Sequence, residues 1–274
     1  MKKAAMGLVA LVLYATVGTA HGLASTNTGN SVTFAAKAPG NAPGKTLQAS
    51  ATFAVSNLDL IVTLSNLGTY DPSIPADILT AVFFKINGDP ALTPVSAQLG
   101  PDASVIAHRL PLGFDGDVGG EWAYANDLAN TKRDKKAGNV FEGISSASFN
   151  WFKANDLFPG QKLRGTGHPG GVDFGITTIN DLYGNDSKGL KNQALIQAEV
   201  IFTLADLPQG FEYTDIATEI SDVSFQYGTS HLKQPDILGY VEANGQVPEP
   251  STISLVALGL LGALTLARRR MSRR

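Results

Sequence analysis

Apolar residues fall at every second position over several short stretches of this chain. In LQASATFAV, Leu47, Ala49, Ala51, Phe53 and Val55 alternate with polar or small residues, and in LDLIVTL the same holds for Leu58, Leu60, Val62 and Leu64. Successive side chains of a strand point to opposite faces, so this period lays one apolar face on a core. Ser56-Asn57 separates the two runs and predicts a β-hairpin. ALIQAEVIFTL (194–204) places Ala194, Ile196, Ala198, Val200, Phe202 and Leu204 on one strand face. LTAVFFKI (79–86) is apolar nearly throughout, as a strand buried on both faces would be, and Asn87-Gly88-Asp89-Pro90 closes it. VSFQYG (223–228) is a further strand, and weaker patterns predict strands near 93–99, 104–109, 120–124 and 171–177. SFNWFKANDLF (148–158) suits a short helix. Many short strands punctuated by turn residues predict an all-β fold, a single β-sandwich or jelly-roll-like domain over 46–240. The Ser/Asn/Gly/Pro-rich 25–45 reads as a flexible lead-in and 241–247 as a linker. No repeat of fixed period is present, so a propeller or solenoid is not supported.

The two ends break this pattern. Met1-Lys2-Lys3 is basic and Ala4 to Val17 is apolar throughout; small residues then offer cleavage after Ala20 or Ala24. That is the build of a signal peptide over 1–24, with a permanent membrane anchor as the alternative. At the other end, Ile253 to Ala267 is a run of 15 residues without charge. As a helix it would be about 22 Å long, short of the roughly 30 Å hydrocarbon core, so it would span only by thinning the bilayer or snorkelling its flanks. Arg268, Arg269 and Arg270, with Arg273 and Arg274 behind them, form a stop on the cytoplasmic side. A buried core helix is the alternative, but the run shows no amphipathic stripe. Upstream, Pro248-Glu249-Pro250 is held extended by its prolines, a backbone form that a protease groove accepts.

A proline-glutamate-proline tripeptide, a short apolar segment and an arginine cluster in that order, over 248–274, resemble the PEP-CTERM sorting signal. The resemblance implies an exported bacterial protein cut near the tripeptide by exosortase, a membrane-embedded protease. LTAVFF, VGGEWAY and VSFQYGT, in that order, also resemble the body of a group of exosortase-dependent surface proteins. That likeness supplies no catalytic residue.

Removing both ends changes the charge. The full chain has 21 basic and 24 acidic residues, net −3; without the ends about 14 and 23 remain, a net charge of about −9. Nucleic acid is therefore excluded as an expected partner, since phosphate backbones call for basic patches. There is no cysteine, which removes thiol nucleophiles, Cys-based zinc sites and disulfides from consideration.

Candidate chemistry in the body is sparse. Gly165, Gly167 and Gly170 match the spacing of a dinucleotide fingerprint, but Pro169 removes an amide and no apolar strand precedes, so a surface loop is expected. Gly228-Thr229-Ser230-His231-Leu232 lacks the second glycine of a nucleophile elbow, and His108, His168 and His231 form no zinc pattern. Asp115, Asp117 and Glu121 in GFDGDVGGEW have oxygen spacing suited to calcium, as do Asp181, Asn185 and Asp186 more weakly; turn chemistry explains them without metal. Trp122 and Tyr124 share a strand face and belong either to the core or to a platform on which sugar rings stack. Trp151 and Phe152 carry the same ambiguity.

These patterns predict a non-enzymatic protein with no obligatory cofactor. The signal-peptide pattern implies signal peptidase as a partner, and the resemblance implies exosortase during export and exopolysaccharide afterwards. The protein would pass through a transient inner-membrane intermediate to the cell surface or extracellular matrix of a Gram-negative-type bacterium, with a structural or adhesive role. A glycan-binding module using exposed aromatics is the alternative, and a hydrolase with a carboxylate pair assembled by the fold is the third reading.

Overall fold

The computed structural model describes residues 31–40, 44–106, 109–129, 140–147, 156–164, 170–181, 190–211, 215–229 and 240–242. They form an all-β fold of two sheets. β1 (Ser31–Pro39), β2 (Thr46–Ser56), β3 (Asp59–Asn66), β11 (Glu199–Ala205) and β5 (Thr93–Leu99) lie side by side, in that spatial order, in the first sheet. The second runs β13 (Tyr240–Glu242), β12 (Ile220–Tyr227), β4 (Leu79–Ile86), β9 (Gly175–Thr177), β10 (Leu195–Gln197), β6 (Val105–Ile106). β8 (Phe141–Ser145) also pairs with β4 and carries β7 (Ala123–Leu128) beyond it. All pairings are antiparallel except β9 with β10. The only helix longer than three residues among those described is the four-residue α1 (Ile216–Glu219), started by Asp215, whose side chain accepts from the Ala217 N–H. No helix among the described residues is long and apolar enough to cross a membrane.

The period-two runs become strands with one buried face. Leu47, Ala49, Ala51 and Phe53 of β2, Leu60, Val62 and Leu64 of β3, and Val200, Phe202 and Leu204 of β11 are all buried in one core. The second sheet faces the same core with Val82, Phe84, Ile144 and Phe225. Ring contacts tie the layers: Phe53 meets Phe84 edge-on at 4.9 Å between centroids, and Trp122 meets Phe202 at 4.9 Å. Such pairs add about 0.5–1.5 kcal/mol beyond area burial. β4 is buried on both faces as its continuous apolar run predicts, because Ala81 and Phe83 pack outward against Ala123, Leu128 and Ala147.

The β2–β3 hairpin forms with Ser56 opposite Asp59, so its turn is Asn57-Leu58, one residue later than expected, and Asn57 takes the positive φ of 58°. Three other expectations change. Ser31–Pro39, within the stretch read as a flexible lead-in, is a strand paired with β2 along its whole length, so the sheet begins well before residue 46. Val32, Phe34 and Ala36 supply its buried face. The expected linker likewise starts later, since Val241 and Glu242 belong to β13. The run 194–204 is two strands in different sheets, β10 and β11, with a corner at Ala198, where φ is +68°. The corner is pinned from both sides: the Asn66 N–H donates to the Ala198 carbonyl (2.9 Å), and the Ala198 N–H donates to the Thr177 carbonyl (3.2 Å). Strands that turn from one sheet into another in this way are how layered β folds make corners.

Candidate functional site

β8 carries a glutamate where its pattern calls for an apolar residue. Glu142 stands opposite Phe84 in the β4–β8 register, and its side chain is buried at 1% exposure. The hydroxyl of Tyr124, on the neighbouring β7, donates to Glu142 Oε2. The other oxygen, Oε1, is buried with no hydrogen-bond donor. Asp89, in the Asn87-Gly88-Asp89 turn, is near enough for its carboxylate to act on the Glu142 carboxyl. That turn is tight: Gly88 and Asp89 have φ of 80° and 46°, the Asp89 N–H donates to the Ile86 carbonyl (3.1 Å), and the Asn87 N–H donates to the Glu219 carbonyl (2.9 Å). Burial, reinforced by the charges of Asp89 and Asp127, pushes the Glu142 carboxyl up to about 8 against the opposing pull of the Tyr124 hydrogen bond. Burial and the nearby Glu142 charge likewise lift the Tyr124 phenol above its ordinary range.

This group borders an open cavity of about 390 Å³ at the end of β4, whose walls include Lys85, Asn87, Asp89, Glu142, Thr218 and Glu219. Lys85 is already engaged, with its ammonium 2.5 Å from Asp222. The arrangement is an acidic recess with one deeply buried carboxyl group, suited chemically to holding a proton or a cation.

The residues singled out in the sequence fall elsewhere, Tyr124 excepted. Asp115 and Asp117 do local turn work: Asp115 Oδ1 accepts from the Asp117 N–H (3.2 Å), and Asp117 Oδ1 accepts from the Gly119 N–H (2.8 Å). Glu121 turns away into the protein, where its Oε1 accepts the N–H groups of Leu163 and Arg164 (2.5 and 3.0 Å). The three carboxylates therefore do not converge, and among the described residues no three His, Cys, Asp or Glu side chains are grouped to hold a metal ion. Gly119 and Gly120 serve the same junction as Glu121. A Cβ on either would lie 2.0 Å from the Pro159 carbonyl oxygen or 2.5 Å from that of Gln161, so only glycine lets the 159–164 segment lie this close.

Trp122 and Tyr124 are core residues, 0% and 4% exposed, so neither offers a ring face to a sugar. The reading as an exposed aromatic platform is overturned: Trp122 spends its area on Phe202, and Tyr124 spends its hydroxyl on Glu142. Asp181 is buried and accepts from the Thr177 hydroxyl (2.5 Å). Trp151, Phe152, Asn185, Asp186, Gly165, Gly167, the three body histidines and residues 148–155 of the expected helix lie outside the described residues, as do the signal peptide and the whole 248–274 tail.

Sequence reasoning missed Glu142 and Asp89. A signal was present, since FEGIS puts a carboxylate inside an otherwise strand-like run, but its partner lies more than fifty residues away in a turn.

No curated protein and no solved structure shows significant similarity to this chain. Residues 246–270 match the family model of the PEP-CTERM protein-sorting motif. The match spans Pro248-Glu249-Pro250, the uncharged run and Arg268 to Arg270. That motif is a recognition signal for exosortase processing at the membrane, and residues 246–270 of this chain carry it.

Proposed function

We propose that this is an exported surface or matrix protein whose β body is delivered by the tail and has a structural or adhesive role in the envelope or exopolysaccharide. The signal peptide over 1–24 starts export, the uncharged run 253–267 holds the chain in the inner membrane, and the arginines stop it there. Exosortase then cuts near Pro248-Glu249-Pro250 and frees the body. The observation that carries this reading is the sorting-motif match at 246–270. We read the body as one β-sandwich from about residue 31 to 242, because two sheets share a single core. It is a substrate of processing rather than a catalyst.

The test is the mass of the product. Expressed in a host with exosortase, the released chain should lack Ile253 to Arg274. Released protein that keeps the arginine cluster would refute the reading.

A further inference from the structure

We propose that β1 is a pairing edge through which two copies of this chain join their first sheets, antiparallel and about a twofold axis at Ala35. The central observation is a row of open backbone groups. The Gly40 N–H donates to the Lys45 carbonyl (2.8 Å) at the turn end of the β1–β2 hairpin. Bonded pairs of an antiparallel ladder recur at every second residue, so Ala38, Ala36, Phe34 and Val32 turn their backbone groups toward β2. Thr33, Ala35 and Lys37 therefore aim theirs outward, and β1 is the last strand of its sheet. Among the described residues these outward groups meet no backbone partner. Such an edge is a template for another strand.

The other edges of the fold are blunted. Along β5 the Val118 N–H donates to the Ala97 carbonyl (2.9 Å) and the Leu99 N–H to the Gly116 carbonyl (2.9 Å), so the 116–118 segment covers that edge. Pro94 offers no N–H farther along it. β6 and β13 are only two and three residues long. β7 is broken by a register shift between Ala125 and Leu128, and Leu157 bridges its Ala123. β1 has nine residues in unbroken register with β2 and, of the usual protective devices, carries only Lys37 and a terminal Pro39. One register accommodates both, and it is a pairing of the strand with itself. With Ala35 on the axis, Thr33 stands opposite the partner's Lys37, and six ladder bonds use the outward groups of these three residues in each copy. Phe34 falls opposite the partner's Ala36, large against small. The two lysines lie on either side of the axis, about 14 Å apart along the strand and beyond the screening length of about 8 Å. Pro39, which has no N–H to give, falls outside the three bonded pairs. A single strand edge buries less than the roughly 1,200–2,000 Å² of a stable complex, so the pairing is weak and forms where the chain is concentrated.

The chain has no cysteine, so an introduced thiol reports its own position. The full chain in mild detergent, at about 100 µM, is treated with a short bismaleimide. Ala35→Cys should give a covalent dimer, because the two positions face each other about 5.5 Å apart across the axis. Lys37→Cys, about 14 Å from its copy, should not. An equal mixture of Thr33→Cys and Lys37→Cys chains should give a mixed dimer. Adding Ala35→Glu to both chains of that mixture sets two carboxylates face to face on the axis while leaving the bonds to β2 in place. It should remove the mixed dimer at an unchanged Tm. Absence of the Ala35→Cys dimer, the outcome if another segment of the same chain fills the edge, would overturn the proposal. So would crosslinking as efficient at Lys37→Cys as at Ala35→Cys, or a mixed dimer that persists with Ala35→Glu.

Discussion

Two inward glutamates meet the cost of burial by different means. Glu142 has a tyrosine hydroxyl, while Glu121 has two backbone amides from the 163–164 segment. For Glu121 burial outweighs those amides and, with the nearby charge of Asp173, raises its pKa above the ordinary glutamate value against the opposing charge of Lys162. The Arg164 guanidinium does not relieve it, being paired with Asp173. A raised folded pKa means the native state holds the proton more firmly than the unfolded chain does. The resulting stabilisation is complete below the unfolded glutamate value of about 4.3 and is lost as pH rises through the folded value. Glu121→Gln keeps an oxygen acceptor for the two amides and removes the titration. The Tm advantage of wild type over this variant should therefore shrink as pH climbs from about 4 to 7. A difference that stays flat or grows over that range contradicts the assignment. Trp122 and Tyr124 were legible as a pair on one face, but the alternation does not say whether that face meets core or solvent. Phe202 and Glu142 decide it, and neither is near them in sequence.

At the scale of elements, alternation predicted β2 and β3 closely and the second half of β12, and a continuous apolar run predicted β4, because each buries a face or two against the core. β1 was hidden by its Ser/Asn/Gly/Pro-rich surroundings, although Val32, Phe34 and Ala36 alternate like the rest. β8 was hidden because Glu142 and Gly143 interrupt its apolar run. The corner at Ala198 left no trace at all. Ile196 before it and Val200 after it reach the same core from different sheets, so the period-two pattern passes through unbroken. Only the backbone shows the corner, through a left-handed φ that costs an L-residue roughly 1–2 kcal/mol. Ala198→Gly should recover part of this, and we expect a gain of about 0.5–1 kcal/mol in denaturant unfolding, reduced by glycine's greater freedom in the unfolded chain. Destabilisation by the substitution would show that the side chain, and not the backbone angle, matters at the corner.

For the whole molecule, the tail and the body obey different rules. With Pro248 and Glu249 both replaced by Ala in an exosortase-containing host, uncut chain should accumulate in the inner membrane. Secretion at the wild-type level would remove the tripeptide from the processing step. The sorting motif could be identified in one dimension because what reads it is local: an extended tripeptide, the length of an uncharged run, and adjacent positive charge. The same holds for the all-β class, since strand alternation is a nearest-neighbour property of the backbone. Sequence alone thus determined the sorting motif and the kind of fold. Tertiary structure decided which sheet each strand joined, which face of Trp122 and Tyr124 was covered, and that Asp89 would lie near Glu142. Those outcomes depend on contacts between residues far apart in the chain, where burial and charge act through space and leave no spacing for the sequence to display.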